Sequence, residues 1–133
     1  MIEFDQNAGS KRVVVYACSG CSDVGELADR TARVLSRKGL GEMSCLAGIG
    51  GRVRSLMSKA EKAEHIVAID GCPLNCARHT LEQAGFRTVQ HLELHRLGFR
   101  KGNSPPNEER LATAVKAGTE LLNTLGAVKD LQK

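Results

Sequence analysis

Cys18, Cys45 and Cys72 stand 27 residues apart in turn, and each lies at the end of a short apolar segment. The first segment, from Arg12 to Ala17, carries V-V-V-Y-A. A continuous β-branched run of this kind suits a strand covered on both faces. The second is E-M-S-C-L from Glu42 to Leu46, and the third is H-I-V-A-I-D from His65 to Asp70. A fourth, T-V-Q-H-L-E-L from Thr88 to Leu94, alternates as a strand does. We read the spacing as the period of a strand-helix unit and not as a duplicated sequence.

Helical patterns fill the intervals. Val24, Leu27, Ala28, Thr31, Val34 and Leu35 recur at helical spacing, with Ser22 or Asp23 as cap and Gly39 and Gly41 as stop. After A-G-I-G-G, a second helix is expected from Arg52 to Lys62. A third has Pro73 in its first turn and runs through Ala77, Leu81 and Ala84 to Gly85. Gly98 to Asn107 reads as a loop, and Asn107 caps a last helix with Leu111, Val115, Gly118, Leu121, Leu122 and Leu125 on its apolar face. Strictly alternating strands and helices predict a single-domain α/β sandwich, with a parallel sheet of about four strands and helices on both faces. The domain is expected to span residues 11–128, between a polar tail at 1–10 and a fraying tail at 129–133.

In a parallel sheet the loops leaving the carboxyl ends of the strands cluster on one edge, and ligands bind there. Cys18, Cys45 and Cys72 all take such positions. Cys76 lies one helical turn beyond Cys72, and Cys21 makes a C-x-x-C pair with Cys18. Helix starts beside Cys21 and Cys76 favour negative charge there. Thiolate sulfurs suit tetrahedral Zn²⁺ at about 2.3 Å, so the residues predict a metal site at Cys18, Cys72 and Cys76, with Cys45 or Cys21 as the fourth ligand. An iron–sulfur cluster takes the same ligands and is the less favoured occupant.

Composition narrows the partners. The chain has no Trp, one Tyr and a net charge of +4 spread along its length. Aromatic platforms for bases are lacking, and no nucleic-acid partner is expected. No apolar stretch approaches the roughly 18 residues of a membrane span. The first ten residues do not read as a signal peptide, so a cytoplasmic location is the expectation. Five cysteines without an export signal read as ligands or reactive thiols more readily than as disulfides.

Three blocks, C-S-G-C-S-D-V-G-E-L-A-D-R from Cys18, C-L-A-G-I-G-G from Cys45 and D-G-C-P-L-N-C-A from Asp70, resemble the DGC-domain family. Its small proteins take their name from Asp-Gly-Cys and are described as zinc-binding. The resemblance implies four ligands, at Cys18, Cys45, Cys72 and Cys76. It leaves Cys21 as an extra thiol, substitutable or redox-active, and it implies no reaction.

Other chemistries use some of the same residues. Cys72 and Arg78 fit the C-x-x-x-x-x-R spacing of a phosphatase loop, but Pro73 removes a backbone donor that an oxyanion needs. Sulfur transfer would draw on the same cysteine nucleophile. Cys18 and Cys21 could cycle as a disulfide. A-G-I-G-G follows a strand but lacks the glycine spacing of a dinucleotide site. His65, His79, His91 and His95 are candidate ligands or bases, with His91 and His95 nearest the functional edge. Asp70 either orients the D-G-C loop or caps a helix.

Overall fold

The computed structural model describes residues 12–126, so the two tails expected at 1–10 and 129–133 lie outside the described residues. Four strands, β1 (Val13–Ala17), β2 (Glu42–Met43), β3 (His65–Asp70) and β4 (Gln90–Glu93), form one sheet in the order β2-β1-β3-β4. Every pairing is parallel: Val15 pairs with Met43, Val15 with Val67, and Ile69 with Leu92. From β1, in the middle of the sheet, the chain turns outward to β2 and then crosses back to β3. Strand order therefore reverses between β1 and β3.

Among the described residues, five α-helices cover the sheet: α1 (Asp23–Arg37), α2 (Leu46–Gly50), α3 (Arg54–Glu61), α4 (Cys76–Gln83) and α5 (Glu108–Thr124). Period-two side-chain alternation splits the core in two. Val13, Val15, Ala17, Val67 and Ile69 pack under α1 and α5. Val14, Tyr16, Ile66 and Ala68 pack under α2, α3 and α4. The predicted α/β architecture, with helices on both faces, is thus what forms. Leu27 and Leu35 of α1 are fully buried, each contributing about 1.5–3 kcal/mol from apolar surface removed from water. Among the described residues no helix is long and apolar enough to cross a membrane.

Three local departures bear on the site. The second strand ends at Met43; after Ser44 the chain turns, and Cys45 becomes the N-cap of α2. The A-G-I-G-G stretch is therefore mostly helix and not a loop. Pro73 precedes α4 instead of opening it, because Asn75 is left-handed at φ 55° and the helix starts only at Cys76. The last strand is confined to Gln90–Glu93, and a 3₁₀ turn, Leu94–Leu97, follows it.

The long loop before α5 is fastened to the start of α1. Asp23 Oδ1 accepts the N–H of Gly102 at 2.9 Å, and Oδ2 accepts that of Ser104 at 2.8 Å. Those N–H groups, Gly102's first, hold the Asp23 carboxyl below its usual value of 3.8. A depressed folded value means the clasp stabilises fully above that pH and is lost as pH falls through the lower folded value. In an acid titration followed by NMR, the Gly102 and Ser104 amide signals should hold steady above about pH 4 and move below it. An Asp23→Asn chain should lack that acid transition; amides indifferent to acid in the unsubstituted chain would remove the clasp.

Candidate functional site

Cys18 follows β1 directly, and its N–H still bonds to the Ile69 carbonyl at 3.0 Å. The sheet thus extends to the cysteine backbone and fixes it beside the end of β3. Its sulfur accepts the N–H of Gly71 at 3.4 Å. The side chain is half-buried, and burial is the main reason the thiol is pushed up to about 11. Gly71's N–H works in the opposite direction. Asp70, Cys72 and Cys76 push it further up, because negative charge on each is felt at Cys18. Three thiols and one carboxylate therefore share an electrostatic neighbourhood where strand order reverses.

The loop that brings Cys72 and Cys76 there is built around Asp70, which is 1% exposed. Asp70 Oδ1 accepts the N–H of Ala77 at 2.8 Å, and Oδ2 accepts that of Arg78 at 3.1 Å. The carboxylate so caps α4, whose own N-cap, Asn75, supplies no side-chain bond. His91 Nε2 lies 2.8 Å from Asp70 Oδ2, and the His91 ring is almost wholly buried. With Nε2–H donating to the carboxylate, Nδ1 is left buried without a hydrogen-bond partner.

Cys45 sits on the other side of Cys18. It is exposed, its sulfur accepts the Gly48 N–H at 3.3 Å, and it shares one cleft with Cys18. Cys21 is exposed as well, on a turn whose Ser19 and Gly20 take positive φ. All five cysteines are free thiols. Among the described residues, no three His, Cys, Asp or Glu side chains already converge on one metal position. The fit is therefore one of donor chemistry: a soft thiolate set carried on adjacent loops.

The rival readings fare unevenly. Arg78 directs its guanidinium to Glu82 at 2.9 Å, away from a phosphate-loop role. The A-G-I-G-G segment forms α2 and leaves no glycine loop for a pyrophosphate. His65 opens β3 at the opposite edge, and His79 is an exposed α4 residue 3.6 Å from Glu82. His95 lies 3.3 Å from Glu93. The partnership that spacing could not disclose is His91 with Asp70. Its one sequence signal was a histidine inside an alternating strand.

The sequence pattern of the DGC domain matches residues 14–117. The chain is 38% identical over 123 residues to the "Anaerobic and virulence modulator AnvM" of Pseudomonas aeruginosa, covering 92% of this chain and 94% of that protein. No solved structure matches.

Proposed function

The chain belongs to the DGC domain family, and within it we propose a metal-binding protein that holds Zn²⁺ through Cys18, Cys72 and Cys76, with Cys45 as the fourth ligand. The observation that carries this reading is the placement of Cys18, Cys72 and Cys76 just beyond the paired ends of β1 and β3, close enough that charge on Cys72 and Cys76 is felt at Cys18. Burial alone makes a lone Cys18 thiolate costly; a bound cation reverses that balance, since a coordinating thiol is deprotonated outright. The β1 and β3 backbones set Cys18, while the Asp70 carboxylate sets the start of α4 and with it Cys76. The relative's name describes a modulator. A closed thiolate shell suits that better than turnover, because catalytic zinc keeps a coordination position open. We therefore favour metal sensing or trafficking over catalysis.

Elemental analysis of anaerobically purified protein tests the reading. Stoichiometric zinc is expected in the unsubstituted chain. Cys18→Ser, Cys72→Ser and Cys76→Ser should each weaken retention beyond the roughly 10–100-fold that loss of a supporting hydrogen bond costs at metal sites. Cys45→Ser should do the same and Cys21→Ser should not. Iron with sulfide in place of zinc would make the site a cluster, and absence of stoichiometric metal from the unsubstituted chain would end the proposal.

A further inference from the structure

The cleft that Cys18 and Cys45 share has a chemistry of its own. It opens between α1 and the β2–α3 segment, and its volume of about 930 Å³ falls within the roughly 300–1,000 Å³ of small-molecule sites. Three cations line it: Arg33, Arg37 and Lys59. Arg33 is paired with Asp29 at 2.7 Å, and Lys59 with Glu42. Arg37 is exposed and has no ion-pair partner among the described residues. The cleft thus presents one uncompensated positive charge on the α1 side.

Two neighbouring hydroxyls lie at and behind its base. Ser44 lines the cleft, and its Oγ is buried without a hydrogen-bond partner. Tyr16 is fully buried behind it, with its hydroxyl directed at Ser44 and near Cys45. A polar group entering the cleft can offer Ser44 Oγ a hydrogen-bond partner. Cys45 lines the cleft next to Ser44, exposed and free. Cys21 and Cys76 are exposed too, but lie outside the cleft.

We propose that this cleft binds small anionic disulfides and that Cys45 is the sulfur they attach to. The biological members of that class are disulfides of carboxylate-bearing low-molecular-weight thiols. Arg37 draws the anionic end of the molecule, and the disulfide reaches Cys45. Cys45, its proton passed to solvent, attacks one sulfur of the disulfide through its thiolate. A mixed disulfide forms on Cys45 as the bond between the two reagent sulfurs breaks, and the second sulfur leaves as a thiolate. The exchange needs no further oxidant. It also goes beyond the metal reading, because it is defined on the metal-free chain.

Two reagents separate charge selection from plain exposure. Dithiobis-nitrobenzoate is a dianionic disulfide, and dithiodipyridine is a neutral one. Each is added below stoichiometry to the full chain, reduced and chelator-treated, and the adducts are located by peptide mapping. The anionic reagent should label Cys45 ahead of Cys21 and Cys76, and the neutral reagent should narrow that preference. Arg37→Gln, at an exposed position with no partner to lose, should slow anionic labelling of Cys45 about tenfold, the low end of electrostatic focusing in a cleft. It should leave neutral labelling, and both rates at Cys21 and Cys76, as they were. Equal anionic-to-neutral ratios at Cys45, Cys21 and Cys76 would overturn the proposal, as would an Arg37→Gln effect of the same size on both reagents. Neither result depends on whether the chain holds zinc.

Discussion

Asp70→Ala is expected to destabilise the chain by about 3–5 kcal/mol, because it leaves three donors without their buried acceptor at about 1–3 kcal/mol each. That is a large part of the roughly 5–15 kcal/mol that holds an ordinary domain together. The carboxylate is 1% exposed and serves three donors: the N–H groups of Ala77 and Arg78, and His91 Nε2. Alanine would orphan all three. His91, whose Nδ1 already lacks a hydrogen bond, would keep only Glu93, 3.9 Å from Nδ1. The start of α4 would lose its only side-chain cap, since Asn75 enters the helix from the left-handed region and bonds nothing itself. Asp70→Asn should cost less. Its oxygen can still accept from Ala77, and its amide can donate to a His91 carrying the proton on Nδ1. Urea midpoints read the difference, provided the slope of each transition stays that of the unsubstituted chain. An Asp70→Ala chain within about 1 kcal/mol of the original, a typical single hydrogen bond, would show that α4 does not depend on this cap.

The Asp70 arrangement also shows where sequence reading reached its limit. The strands β1 and β3 and the helices α1 and α5 were legible because hydrophobic period and capping chemistry agree there. Ser22 and Asn107 accept from Gly25 and Arg110 as N-caps should. The segment E-M-S-C-L was legible only in part. Its apolar residues permit a strand, yet after Ser44 donates to Val15 the chain turns so that Cys45 can cap α2. A cysteine as N-cap is not a pattern that residue preferences announce. Pro73 misled for a related reason. It suits a first helical turn, but Asp70 draws its two N–H groups from Ala77 and Arg78, which sets the helix start further along. The thiols were expected to gather from the repeat of strand ends alone. Which of them lie nearest Cys18 depends on strand order, and order is not written in spacing. With β3 beside β1, Cys72 and Cys76 come to the same side as Asp70, while Cys45 arrives from β2 across a cleft. His91 meets Asp70 because β4 pairs in register with β3, His91 beside Ala68 and Glu93 beside Asp70. That is a property of two strands together and of neither alone.

Gly71→Ala should be more damaging than any other single methyl group added near the thiols. A Cβ at this buried position would overlap the carbonyl oxygen of Val24 and lie 2.6 Å from its carbonyl carbon and 2.9 Å from its Cβ. Those atoms belong to the first turn of α1, so relief requires moving a helix and not a side chain. Yet α1 is pinned by Leu27, Ala28, Ala32 and Leu35 in the core under α5. Overpacking ordinarily costs about 1–3 kcal/mol; with backbone as the obstacle, we expect the upper end or beyond. Gly48→Ala provides the comparison. Its Cβ would collide mainly with the Cδ1 tip of Leu56, a flexible side chain that can turn aside, so the penalty should be smaller. Thermal unfolding of the two variants gives the order directly. Gly71→Ala should melt several degrees below Gly48→Ala, at the roughly 4 °C per kcal/mol of a domain this size; the reverse order would mean that α1 does not sit against the loop. The Gly71 N–H is also the donor to the Cys18 sulfur, so a shift that relieves Val24 pulls that contact apart. In the tripeptide at 70–72 each residue then has a separate physical task. Asp70 caps α4, Gly71 lets the strand end pass α1 and reach Cys18, and Cys72 carries the thiol that this close passage brings to the edge.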